Sequence, residues 1–250
     1  MKVYLDNGST SFPKPKAVAD SIYNYLINNG GNPGRSNHEK SLEANRILYD
    51  TRNEICDFFN FKKTENVIFT NNITSSLNIL INGIIKDGDH IITSSMEHNA
   101  VIRPLYNLSQ NLNIKLDIAQ ANSQGLVDIN SIKSLIKPNT KLIIITHASN
   151  VTGSIQPIKD IGKLCKENNI FFILDSAQSA GVLDIDFEEF FLDALAFTGH
   201  KSLLGPQGIG GFIINDKLNE LTTYGIMREY SSKFIRDLIK ALIDFVHLQF

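Results

Sequence analysis

Seven short runs of apolar, mostly β-branched residues punctuate this chain, at 67–69, 91–92, 114–118, 142–145, 171–174, 194–197 and 211–214. Between most of them the apolar positions switch to helical spacing, as in Leu77, Leu80, Ile81 and Ile84, or Ile129, Ile132, Leu135 and Ile136. Short runs without polar alternation belong to strands covered on both faces, and helices between them supply the cover. The pattern predicts an α/β fold: a mainly parallel, mixed seven-stranded sheet with helices on both faces. Punctuation agrees with these boundaries. Asp87-Gly88-Asp89 and Pro138-Asn139 precede runs, Pro157 opens a helix, and Asp128 is placed to cap another. Residues 1–60 read as an N-terminal arm and helices, 61–220 as the α/β domain, and 221–250 as a helical tail. In the tail, Phe234, Ile235, Leu238, Ile239, Leu242, Ile243 and Val246 form one apolar stripe that needs cover from the domain or from a second chain.

Composition narrows the functional classes. Across 250 residues, 42% hydrophobic and 20% charged with a net charge of -2, there is core enough for a globular domain. That charge provides no field to recruit nucleic acid or an anionic membrane, so any phosphate must be met by a local site. The longest apolar runs are far too short to span a bilayer. The first residues, Met1 to Asp6, reach a carboxylate before a leader-like apolar run can develop. Two cysteines, Cys56 and Cys165, lie far apart in helix-like stretches, which gives neither a disulfide framework nor metal spacing. The expectation is a cytoplasmic protein with no metal.

In an open parallel sheet, ligands gather beyond the carboxyl ends of the strands. Five strand ends deliver polar side chains there: Thr74 to Ser76 in one helix start, Glu97-His98-Asn99, His147 with Asn150, Asp175 with Gln178, and Thr198-Gly199-His200-Lys201. Taken singly, each has a plain reading. Thr74 to Ser76 suit helix capping, His98 and Lys201 suit a wet surface, and Asn150 and Gln178 suit a loop. Asp175 resists it, because a carboxylate closing a buried strand demands a cationic partner. Taken together they match the needs of pyridoxal 5'-phosphate: a lysine for the aldehyde, a carboxylate for the ring nitrogen, a phosphate cup and a plate for the ring. No G-x-G-x-x-G opens a helix after the first strand, and Gly205 to Gly211 precedes a strand instead, which disfavours a dinucleotide site.

The motifs that hold these residues resemble those of class V aminotransferases, and of cysteine desulfurases in particular. They run, in the family's order, through Tyr4-Leu5-Asp6-Asn7-Gly8-Ser9-Thr10, Asn32-Pro33-Gly34-Arg35-Ser36-Asn37-His38, Glu97-His98-Asn99-Ala100 and His147-Ala148-Ser149-Asn150-Val151-Thr152-Gly153. Asp175-Ser176-Ala177-Gln178 and Thr198-Gly199-His200-Lys201 through Gly205-Pro206-Gln207-Gly208-Ile209-Gly210 complete the set. The resemblance implies the large domain of the aspartate aminotransferase-like fold (fold type I). It implies that Lys201 links to the cofactor and that Asp175 pairs with the ring nitrogen. Gln178 and Asn150 would meet the phenolic oxygen, His98 would stack on the ring and handle protons, and Thr74, Thr198 and His200 would hold the phosphate.

The implied reaction converts L-cysteine to L-alanine, leaving sulfur on an enzyme cysteine, with a homodimeric enzyme and a possible sulfur-acceptor protein as partners. In the family the acceptor cysteine and the arginine for the substrate carboxylate belong to a C-terminal domain, whereas the motifs here stop near residue 215. Neither Cys56 nor Cys165 sits in a matching motif, so the chain as given is expected to lack sustained desulfuration. Two alternatives stay open: a selenocysteine lyase or other class V enzyme, and a cofactor-binding protein without turnover.

Overall fold

A computed structural model describes residues 3–34 and 38–221. Arg35 to Asn37, in one of the quoted motifs, and the apolar stripe from Phe234 to Val246 lie outside the described residues.

Each apolar run forms a strand: β1 (Val67–Thr70), β2 (His90–Ser94), β3 (Lys115–Ala119), β4 (Thr140–Thr146), β5 (Phe171–Asp175), β6 (Ala194–Thr198) and β7 (Gly210–Ile214). The helices are α1 (Lys16–Asn28), α2 (Glu39–Phe58), α3 (Ile73–Ile84), α4 (Asn99–Asn111), α5 (Ile129–Leu135), α6 (Ile158–Glu167) and α7 (Asp216–Leu221). One seven-stranded sheet runs in the order β1-β7-β6-β5-β4-β2-β3. Pairing is parallel from β6 through to β3, and β7 is antiparallel to both β1 and β6. The mixed, mainly parallel sheet expected from the periodicity is therefore present.

Two cores explain why the runs show no alternation. Successive strand residues point to opposite faces, and both faces are dry. Leu142 and Ile144 join Leu77, Leu80, Ile81, Val101 and Leu105 under α3 and α4. Ile143 and Ile145 join Phe59, Ile132, Ile161 and Phe172 on the face covered by α2, α5 and α6. Asp128 caps α5 by accepting from Asn130 N at 3.2 Å. By contrast α1 buries none of its residues, and Ile22, Tyr23, Leu26 and Ile27 stay exposed along it.

Two features aim this frame at one edge. Strand order turns back between β2 and β4, so the segments leaving them diverge and open a crevice. β7 fits closely against the start of α3. A Cβ on Gly210 would meet Asn72 backbone atoms at 2.8 Å and Phe197 O at 2.9 Å. Only glycine lets that helix start lie beside the end of β6.

Candidate functional site: a cleft at the carboxyl edge of the sheet

All eight residues picked out from the sequence, Thr74, His98, Asn150, Asp175, Gln178, Thr198, His200 and Lys201, line one open cleft. Thr146, Asp175 and Thr198 are the last residues of β4, β5 and β6, so the strands themselves set the floor.

Asp175 is 2% exposed. Burial raises its carboxyl above the usual range, while the Ala177 N–H, donating at 2.9 Å, and the charges of His98 and Lys201 pull it back. Burial lowers the Lys201 amine below its ordinary value, and the Asp175 charge opposes that shift. Desolvation first, then the neighbouring lysines 201 and 14, lower His200. The arrangement is one enclosed carboxylate facing a partly desolvated amine.

At the other side of the cleft, α3 presents its amino end, the positive end of its dipole, through Asn72, Ile73 and Thr74. The cap is Asn72, whose Oδ1 accepts from Ser75 N at 2.8 Å, so Thr74 is not needed for capping and faces the cleft. Thr198 Oγ1 and His200 Nδ1 are buried without a hydrogen-bond partner among the described residues. Native interiors leave few such atoms, and these two lie on residues that line the cleft, where a ligand can complete their bonding. A helix amino end with two unpaired buried polar atoms beside it is a fitting cradle for a phosphate. His98 caps α4, its Nδ1 accepting from Ala100 N at 3.0 Å, which fixes the ring at the cleft edge. Gln178 donates from Nε2 to Gly8 O at 3.0 Å.

Two parts of this edge escaped the sequence reading. The N-terminal arm folds over the lysine turn: Ser11 N, Thr10 Oγ1 and Lys14 Nζ all donate to His200 O, at 3.1, 3.0 and 2.6 Å. Ser11 Oγ adds a bond to Lys201 O at 2.8 Å. The peptide that carries Lys201 is thus held by residues more than 180 positions earlier, which local spacing cannot reveal. Glu97 was noticed only as a neighbour of His98. Its carboxyl in fact points beneath the cleft, where it accepts from Ser94 Oγ at 2.5 Å and Thr146 N at 2.9 Å.

Neither thiol belongs to the cleft. Cys56 and Cys165 are free and buried in α2 and α6, and burial raises both above the ordinary thiol range.

Comparison with known proteins shows the family and the fold. The family model described as "Aminotransferase class-V" matches residues 3–230. The "Cysteine desulfurase IscS" of Buchnera aphidicola subsp. Schizaphis graminum is 36% identical over 221 residues, 86% of this chain and 54% of that protein. Among solved structures, the apo structure of cysteine desulfurase from Thermococcus onnurineus NA1 superposes with a TM-score of 0.83 at 32% identity, covering 88% of this chain and 55% of that one. A structure titled "SspA in complex with cysteine" superposes with a TM-score of 0.84 at 28% identity, covering 96% and 72%. The chain spans about half the length of the curated relatives it matches. Its fold is that of the large domain of fold type I enzymes, and the chain belongs to the class-V aminotransferase family.

Proposed function

We propose that the cleft binds pyridoxal 5'-phosphate through Lys201, and that the chain is the cofactor-binding domain of a cysteine desulfurase-type enzyme acting on L-cysteine or a close analogue. The observation that carries the reading is the presence of buried Asp175 and half-buried Lys201 in one cleft, with Thr198 Oγ1 and His200 Nδ1 unpartnered there among the described residues. The family as a whole implies this cofactor, and a structural relative is known in complex with cysteine.

When bound, the cofactor supplies an electron sink for the charge that develops at the Cα of an amino acid. Asp175 holds the proton on the ring nitrogen, which keeps that sink effective. Lys201 would hold the cofactor through its aldehyde, and its lowered basicity favours the reactive neutral form of the amine. His98, fixed by its cap bond, covers the ring and exchanges protons with the substrate. Thr74, Thr198 and His200 hold the phosphate at the amino end of α3. Asn150 and Gln178, both lining the cleft, would meet the phenolic oxygen. Since Cys56 and Cys165 are enclosed and basic, sulfur passes to a thiol other than these two, such as that of an acceptor protein. Two free, buried thiols also suit a reducing, cytoplasmic compartment. The exposed apolar side chains of α1 favour a homodimer, which light scattering tests.

The decisive experiment adds pyridoxal phosphate, reduces with borohydride and maps the labelled peptide. The label is expected on Lys201 and is lost in Lys201→Ala. A label on another lysine, or none, overturns the reading.

A further inference from the structure

Glu97 stands where the strand order turns back, and the proposed function gives it no task. Its Oε1 accepts from Ser94, the last residue of β2, and from the backbone of Thr146, the last residue of β4, at 2.5 and 2.9 Å. This one carboxyl therefore ties together the two strand ends that diverge to open the cleft. Thr146 is in register with Asp175 on β5, so the Glu97 carboxyl lies within one strand of the carboxylate on the cleft floor. Although Glu97 as a whole is half-buried, its Oε2 is out of water and has no partner among the described residues.

The charges around the pair are unequally shared. The Asp175 carboxylate, on the neighbouring strand β5, opposes a charge on Glu97. His98, at the start of α4, and Lys201, after β6, act on Asp175 and favour its anion. Two carboxyls in one enclosed site do not both ionise cheaply, and the proton settles on the one without cations. A dry oxygen beside a like charge is the worse place for an anion.

We propose that Glu97 is a positioning residue held in its neutral, protonated form, bracing the ends of β2 and β4 and leaving Asp175 as the single carboxylate anion on the cleft floor. Burial, with the Asp175 charge behind it, pushes the Glu97 carboxyl up to about 8, consistent with that geometry. The part played by Asp175 rests on the cofactor reading above; the protonation of Glu97 does not, and it is tested on cofactor-free protein.

Raised in the folded state, Glu97 binds a proton that the unfolded chain has released. Its contribution is complete below the ordinary value of 4.5 and is lost as pH rises towards about 8. Glu97→Gln has the same shape, accepts the same two bonds and cannot ionise. Denaturant unfolding across that window should show the variant gaining on the parent about tenfold in folding equilibrium constant per pH unit, the slope of one proton. Above about pH 8 the gap should level off. Glu97→Leu, which accepts neither bond, should be the less stable at every pH. Parallel curves for parent and Glu97→Gln overturn the proposal.

A second measurement needs no variant to fold. In parent protein with isotope-labelled glutamate, a protonated carboxylic acid band should persist in the infrared at about pH 6.5, where an ordinary glutamate is ionised. Its absence overturns the proposal as well. In Asp175→Asn the same band should vanish at lower pH than in the parent, because the neighbouring charge is gone. If it does not move, Asp175 is not the anion of the pair. Failure of the Lys201 label with these results intact would remove the cofactor reading and leave Glu97 protonated.

Discussion

The two edges of the sheet each carry a polar cluster, and the two are built on opposite principles. At the amino edge, His90 on β2 is fully enclosed, with Thr140 Oγ1 at 2.7 Å from its Nδ1 and Asp117 Oδ2 at 3.0 Å from its Nε2. Lys137 Nζ reaches the same Asp117 oxygen at 2.5 Å, and Lys137 N donates to Thr140 Oγ1 at 2.7 Å. Each partner answers another, and β2, β3 and β4 are pinned. At the carboxyl edge, Glu97 Oε2, Thr198 Oγ1 and His200 Nδ1 are as dry but have no partner among the described residues. On motif logic alone, a Thr-His-Asp chain looks more catalytic than a threonine beside a histidine. The state of the bonds reverses that ranking. A saturated cluster has no capacity left for a ligand, whereas an unsaturated one retains a cost that a ligand can relieve.

The largest effect that separates the edges is expected at Asp175. Asp175→Ala should still form the borohydride-reducible link at Lys201, but cofactor affinity should fall by about 2–4 kcal/mol, or roughly 30- to 700-fold. Exchange of the Cα proton of an amino acid, followed by NMR in heavy water, should fall with it. Exchange at the parental rate would mean that the carboxyl edge does not work as assigned.

At the amino edge, the effect should be on folding alone. His90→Leu leaves the Thr140 hydroxyl and Asp117 without their shared partner, at a cost of about 1–3 kcal/mol in denaturant unfolding. Burial lowers His90, first among several causes. Its contribution is therefore present above the unfolded-state value of about 6.5 and is lost as pH falls below it through the folded-state value. The parent should lose stability on acidification more steeply than His90→Leu. Pyridoxal phosphate affinity should be unchanged, and a change of more than a few-fold would show that the two edges communicate.

Much of this layout was legible in the residues. All seven apolar runs became strands, because a sheet covered on both faces writes itself as unbroken hydrophobicity; 142–145 feeds both cores at once. β3 is the least clear, an edge strand with Lys115 and Ile118 exposed, and it begins one residue after Ile114. The residues of the cleft were legible because each ends its strand or follows it within a few residues. What was hidden depends on distant contacts. Glu97 gains its position from Thr146, 49 residues on, and His200 O receives Lys14 from 186 residues away. The antiparallel sense of β7 was equally silent, since its apolar run reads the same in either direction. Asn72 was missed as the cap because Thr74, Ser75 and Ser76 crowd the same turn with residues of similar capping preference.

The smallest effect is the sharpest test of the contrast, because it reverses sign between folding and binding. Thr198 is 2% exposed, and its hydroxyl has no partner among the described residues. Thr198→Val keeps the branched shape and removes the stranded group, so the cofactor-free protein should unfold at the same or a higher denaturant concentration. Elsewhere in a core, exchanging a bonded threonine for valine is destabilising; here there is no bond to lose. Binding should respond the other way. If Thr198 Oγ1 meets the phosphate, affinity for pyridoxal phosphate should drop by about 1–1.5 kcal/mol, roughly five- to twelvefold, the worth of one hydrogen bond. Pyridoxal, which has no phosphate, should bind parent and variant equally. Equal loss for both compounds would place the hydroxyl against the ring and not the phosphate. No loss for either, with folding weakened, would make Thr198 a structural residue like Thr140 and erase the distinction between the two edges.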